Sequence, residues 1–107
     1  MSSPFEIRYL PTAENDLDDI FDYIMMDNPS AAVSMLEKFN RSISQLAFNP
    51  ELGVAPKDDR LKKLGYRMLI IGKYFVLYVV KANTVQIRRI IHGARQSEIT
   101  RNQDGII

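Results

Sequence analysis

His92 and a handful of arginines and lysines are the residues of this 107-residue chain best suited to chemistry on an anion. It is the only histidine, and an ordinary imidazole pKa of ~6.5 makes it the one natural general acid or base near neutral pH. It stands in Arg89-Ile-Ile-His-Gly-Ala-Arg95, with Arg88 just before that run and Arg67 and Lys73 upstream. Guanidinium and ammonium groups stabilise phosphate charge without a metal, so an enzyme built on this chain would work with Arg, Lys, Tyr and one His. The plainer reading is equally open: His92 hydrogen-bonds its own His-Gly-Ala-Arg turn and does nothing more. The sequence has no Gly-rich phosphate loop, no Ser nucleophile elbow, no paired catalytic carboxylates and no metal-ligand cluster. Cys is absent, which removes disulfides and thiolate metal sites and fits a reducing cytosol. No metal and no cofactor are expected.

Charge is divided along the chain. Residues 1–56 hold three basic residues (Arg8, Lys38, Arg41) against nine acidic ones, a net of −6. Residues 57–107 hold eleven basic against four acidic, a net of +7. Such a division points to an anionic or acidic partner for the C-terminal half, or simply to two solvated faces of opposite sign. The N-terminus carries no basic stretch followed by an apolar one, and the longest apolar run is the seven residues 74–80. Neither export nor membrane spanning is indicated, and a cytoplasmic location is expected. Composition does not break along the chain, so residues 1–107 read as a single domain with a core over about 5–95 and a short tail over 96–107.

These residues must be positioned by the stretch from Gly65 to Arg95. Three apolar runs, 66–71, 74–80 and 85–91, are rich in Ile, Val, Tyr and Phe and are separated by Gly72-Lys73 and Ala82-Asn83-Thr84. They predict three antiparallel strands, the first pair joined by a II′ turn with Gly72 at its positive-φ position. Upstream, Phe5, Ile7 and Tyr9 alternate with Glu6 and Arg8, a short first strand closed by Pro11. From Thr12, taken as an N-cap, Leu17, Ile20, Phe21 and Ile24 recur at helical spacing among Glu14, Asp16, Asp18, Asp19 and Asp22. Those acids favour the positive end of a helix dipole; Asp18, Asp19 and Asp22 lack the spacing of a calcium loop. Asn28-Pro29 caps and starts a second helix, with Ala32, Val33, Leu36, Phe39, Ile43 and Leu46 on one stripe and a stop at Asn49-Pro50. Glu51 to Leu64 reads as a loop, whose Lys57, Arg60, Lys62 and Lys63 suit a phosphate or carboxylate contact or a solvated connection. The predicted fold is α+β, β-α-α-β-β-β: a small, mainly antiparallel sheet with a two-helix hairpin on one face.

Strict alternation along the last strand places Val85, Ile87, Arg89 and Ile91 on one face and Gln86, Arg88, Ile90 and His92 on the other. Arg88 and His92 then look out from the open face with Arg67 or Lys73. Arg89 lies towards the helices and needs an acidic partner on the first of them. A one-residue bulge would exchange the faces.

The element order, Asn49-Pro50, Gly72-Lys73-Tyr74-Phe75-Val76-Leu77-Tyr78 and above all Arg89-Ile90-Ile91-His92-Gly93-Ala94-Arg95 resemble the RelE/ParE superfamily of type II toxin–antitoxin toxins. The resemblance covers about residues 5–95 and is strongest to the ParE, or plasmid-stabilisation, branch. It implies a bacterial toxin that arrests growth unless neutralised by a cognate antitoxin, whose acidic segment would suit the basic half. Operator DNA would be met only through that antitoxin. ParE-like members inhibit DNA gyrase; RelE-like members cleave mRNA on the ribosome. Arg67 and Arg95 fall where RelE-like ribonucleases carry basic residues. However, Leu69 and Phe75 stand where those enzymes usually have Lys and Arg, and Arg101 approximates a position often held by Tyr. The resemblance therefore implies gyrase inhibition by protein binding, with Arg67, Lys73, Arg88, Arg89, His92 and Arg95 on the antitoxin or target surface. The alternatives are an mRNA endonuclease using Arg67, His92 and Arg95, and a toxin fold without activity.

Overall fold

The computed structural model describes residues 3–93. Its elements are β1 (Glu6–Tyr9), α1 (Pro11–Asp27), α2 (Pro29–Ser44), a 3-10 turn (Gln45–Ala47), α3 (Asp59–Lys63), β2 (Tyr66–Ile71), β3 (Tyr74–Lys81) and β4 (Thr84–His92). The four strands form one mixed sheet in the order β1-β4-β3-β2. The predicted meander is antiparallel throughout, whereas β1 runs parallel to β4, with Glu6 opposite Thr84 and Tyr9 opposite Ile87. A parallel pairing needs a long crossover, and the chain between β1 and β4 supplies it.

The helix signals act nearly as expected. Asn28 caps α2, its Oδ1 accepting from the Ala31 N–H at 3.1 Å, and Pro29 occupies the first helical position. Thr12 does not cap α1. Pro11 already sits in the first turn, the cap position falls to Leu10, and no side chain accepts a hydrogen bond there. Proline at N1 has no N–H to satisfy, so the helix starts two residues earlier than a threonine cap would dictate. The second helix stops at Ser44 and tightens into the 3-10 turn before reaching Asn49.

The hairpin of α1 and α2 buries one face of the sheet. Ala13, Phe39, Ile43 and Leu46 pack with Leu69, Ile71, Val76, Tyr78, Val85, Ile87 and Ile90, and Tyr78 and Ile87 are fully buried. The other face is not open, which corrects the sequence expectation. Asp58, expected in a loop, caps α3 by accepting from the Arg60 and Leu61 N–H groups at 2.9 and 3.1 Å. Leu61 then packs on Tyr66, Leu77, Val79 and Ile91.

Both turns use positive φ at their first residue. Gly72 has φ +59°, and no non-glycine residue but Ala82, at +53°, lies in that region among the described residues. An L-residue there crowds its Cβ against the next carbonyl at a cost of about 1–2 kcal/mol, which glycine avoids. Ala82→Gly gives back about 0.5–1 kcal/mol through its more flexible unfolded chain. The variant is therefore expected to melt a few degrees higher; an unchanged or lower midpoint in a thermal scan would contradict the strain at this turn.

Candidate functional site

Strand β4 positions most of the candidate residues, and a bulge decides where they point. Leu77 pairs with Arg89 but Tyr78 with Ile87, so Arg88 is the extra residue. The bulge exchanges the faces from that point on. Val85, Ile87 and Ile90 face the helices, while Ile91 joins the cluster under α3. Arg88 and His92, expected on the same face, lie on opposite faces.

The Arg88 guanidinium lies over the Tyr66 ring, 5.6 Å from its centroid, and donates to Gln86 Oε1 at 2.9 Å. Its Nε is buried without a hydrogen-bond partner, as are Nε and Nη2 of Arg60 in α3. These donors lie on the face that α3 covers, where a carboxylate could accept from them. His92 is exposed at the other end of the sheet. Its ring stands edge-on to Tyr74 at 5.3 Å, and Tyr74 stands edge-on to Phe39 of α2 at 5.5 Å. Lys73 is exposed in the adjoining turn, where its carbonyl accepts from the Gly93 N–H at 2.7 Å. Lys38 of α2 reaches the same turn, its Nζ 3.5 Å from where a Cβ on Gly72 would stand.

Arg89 meets the acidic partner that its position demanded. Its Nε and Nη2 donate to Asp16 of α1 at 2.7 and 3.1 Å, and the Ile90 N–H donates to the same carboxylate at 2.9 Å. β1 pairs with β4 only as far as Ile87, so Asp16 continues the edge that β1 leaves uncovered. The Asp16 hydrogen bond holds the Arg89 pKa above its ordinary value against the opposing effect of burial. Arg89 is permanently cationic at working pH.

Arg67 is similarly committed. Its Nη1 donates to the Gly53 carbonyl at 2.7 Å and to that of Glu51 at 3.3 Å. It lies four residue steps along β2 from Ile71, which is level with Tyr74 and His92. At ~3.3 Å per residue that is about 13 Å along the strands, before the sideways step to β4. Arg67 and His92 do not converge on one small group. Arg95 and Arg101 lie outside the described residues.

Among the described residues, no three of His, Asp and Glu come together in a way that could hold a metal ion. No helix among them is long and apolar enough to cross a membrane. The sequence reading missed Lys38 beside the turn and Tyr66 beneath Arg88, since both contacts depend on tertiary packing. Arg60 had a local signal: an Asp cap at 58 followed at once by a charged turn around one leucine.

A first strand, a two-helix hairpin on one side of the sheet and three further strands in this mixed order define an α+β, RelE/ParE-like fold. A chain of the chromosomal ParDE toxin–antitoxin system from P. aeruginosa superposes with a TM-score of 0.70 at 22% identity, covering 85% of this chain and 98% of that one. The structure of the RelBE2 toxin–antitoxin complex from Mycobacterium tuberculosis contains a chain similar at a TM-score of 0.56 and 24% identity, with 83% and 98% covered. No curated protein matches this chain significantly. The pattern of the ParE toxin of the type II toxin–antitoxin system parDE matches residues 7–97, most of the sequence. The chain belongs to the ParE toxin family.

Proposed function

We propose that this toxin acts on DNA gyrase by protein–protein binding and is neutralised by a cognate antitoxin whose acidic segment occupies the cationic surface of the sheet. The observation that carries this reading is the dispersal of the cations. Arg67 turns its Nη1 to loop carbonyls, Arg89 pairs with Asp16, and Arg88 and His92 lie on opposite faces. Leu69 and Phe75 add no charge between them. Cleaving RNA without a metal needs charge-stabilising groups gathered about 3 Å from one phosphate. Spread charges instead suit an extended acidic segment, which covers a long surface and is bought by ordering entropy. The half-buried Arg60 and Arg88 would offer their accessible guanidinium edges to its carboxylates, and Lys38 and Lys73 would meet it at the turn. The two similar structures, from the ParDE toxin–antitoxin system and the RelBE2 toxin–antitoxin complex, support such a partner.

The test is plasmid supercoiling by purified gyrase while the protein is titrated in, alongside His92→Ala. Inhibition or trapped cleaved plasmid is expected from both proteins. No effect from folded protein at micromolar concentration would overturn the gyrase reading. Growth arrest lost in His92→Ala, with the antitoxin still bound, would instead favour mRNA cleavage.

A further inference from the structure

The far end of α1 carries residues that neither the core nor the cationic surface uses. Asp19 and Asp22, like Tyr23 and Met26, are three residues apart, and Asp19–Tyr23 and Asp22–Met26 are four apart, so the four share one side of the helix. The core-facing side is a different one, set by Ala13, Leu17 and Ile20. Met26 is 87% exposed and Tyr23 79%, among the most exposed large apolar side chains of the described protein. Beside them, where α1 turns into α2, lies a cleft of about 580 Å³ lined by Tyr23, Ile24, Met26, Asp27, Asn28 and Ala31.

Exposed apolar residues that gather around a cleft differ from scattered ones, which need no explanation. Tyrosine and methionine are enriched at the centres of protein interfaces, where a large ring or a flexible thioether fills a partner's pocket. The rim here is acidic. The ion pairs among the described residues are Arg8 with Glu6 and Arg89 with Asp16, so Asp19, Asp22 and Asp27 have no cationic partner there. An acidic antitoxin segment, which the strands' cations would attract, would be repelled by this rim. The surface suits a partner of the opposite sign.

We infer that the tip of the α1–α2 hairpin is the surface with which this toxin grips its protein target. Tyr23 and Met26 enter an apolar site on that target, and lysines or arginines around that site meet Asp19, Asp22 and Asp27. This inference rests on the reading of the chain as a toxin that acts by protein binding, and it assigns target and antitoxin to separate surfaces.

Two variants of the full chain test it, Tyr23→Ala/Met26→Ala and Asp19→Lys/Asp22→Lys. All four positions are exposed, so both variants should melt with the wild type. Each is expected to need about tenfold more protein for growth arrest and for gyrase inhibition, the loss that truncating interface anchors brings. Affinity for the antitoxin encoded beside the toxin should stay within about twofold of wild type, because rim-distant substitutions add little. Unchanged arrest in both variants overturns the inference. Parallel loss of antitoxin affinity also overturns it, by assigning the tip to the antitoxin, and so does conversion of a wild-type dimer to a monomer, by assigning it to a second copy. If the wild type arrests growth but leaves gyrase untouched, the gyrase reading fails alone and the growth assay still decides the role of the tip. A wild type that binds antitoxin but arrests nothing overturns both.

Discussion

Asp16→Ala is expected to lower the stability of the toxin by about 2–4 kcal/mol, as removing one member of a substantially buried ion pair does. Three donors lose their acceptor at once: Arg89 Nε, Arg89 Nη2 and the Ile90 N–H. The side chains of Arg89 and Asp16 are 26% and 16% exposed, so water recovers only part of what is lost. The consequence is local as well as global. Ile90 reaches into the helix-side core, and without Asp16 the strand edge beyond β1 has no cover. Asp16→Asn should lose less, since an amide oxygen still accepts from one donor but carries no charge. Urea denaturation measures both; a loss below about 0.5 kcal/mol for the alanine variant would show that the carboxylate is not holding the strand. Against a typical total of about 5–15 kcal/mol, the expected loss is large enough to lower toxin abundance in cells.

Tyr78→Phe is the second substitution with a large expected effect, about 2–3 kcal/mol. The fully buried Tyr78 hydroxyl donates to the Pro50 carbonyl at 2.7 Å and accepts from the Gly53 N–H at 2.9 Å. It thereby pins the loop that leads to α3. Gly53 fits only because it lacks a side chain: a Cβ would stand 2.7 Å from that hydroxyl and 2.9 Å from the Met68 carbonyl. Phenylalanine leaves both backbone groups without their partner. The loop then rests on Arg67 and on the Val54–Met68 bridge. Faster hydrogen exchange at the Gly53 amide should accompany the lower urea midpoint.

The same hydroxyl gives stability a dependence on alkaline pH. Burial raises the Tyr78 pKa above its ordinary value of 10.0, and the Gly53 N–H and the Arg67 charge oppose that rise only in part. Burial raises Tyr9 in the same direction. The folded protein therefore holds these protons more tightly than the unfolded chain does. Their contribution is complete below the unfolded pKa and is lost as pH climbs from there through the higher folded value. Tyr78→Phe should show a shallower decline in the same window, with the share due to Tyr9 remaining. Identical alkaline profiles for variant and wild type would rule out Tyr78 as a source of the decline.

The hairpin, the three C-terminal strands and the positive-φ turn at Gly72 were legible because each is written in local periods and breakers. The bulge at Arg88 was not, since it exists only in the pairing of Leu77 and Tyr78 with the opposite strand. It moved His92 to the helix side. Five residues with a single buried leucine carry too little period to mark α3, which is why the second face looked open. Arg89 found its expected acidic partner on the first helix but not by the expected face: beyond the bulge it pairs with Leu77 of the α3-side cluster, and Asp16 meets it at the edge of β4 that β1 leaves uncovered. Arg67 was assigned an anion-binding role by its charge and by the resemblance, and the contacts of its Nη1 with the Glu51 and Gly53 carbonyls, which tie β2 to the preceding loop, have no signal in the sequence.

The strand order β1-β4-β3-β2 has a consequence for synthesis. β4 follows β2 and β3 in the chain yet sits between β1 and β3 in the sheet. While the chain is being made, β1 emerges early and has no strand partner until Thr84–Ile87 clear the ribosome. Helices can form sooner from local contacts, but the sheet they cover closes only through this long-range pairing. Val85, Ile87 and Ile90, the β4 share of the core, are missing from every shorter nascent chain. The core beneath the helix hairpin therefore closes only late in translation, and a chain terminated before β4 lacks the strand that joins β1 to the rest of the sheet.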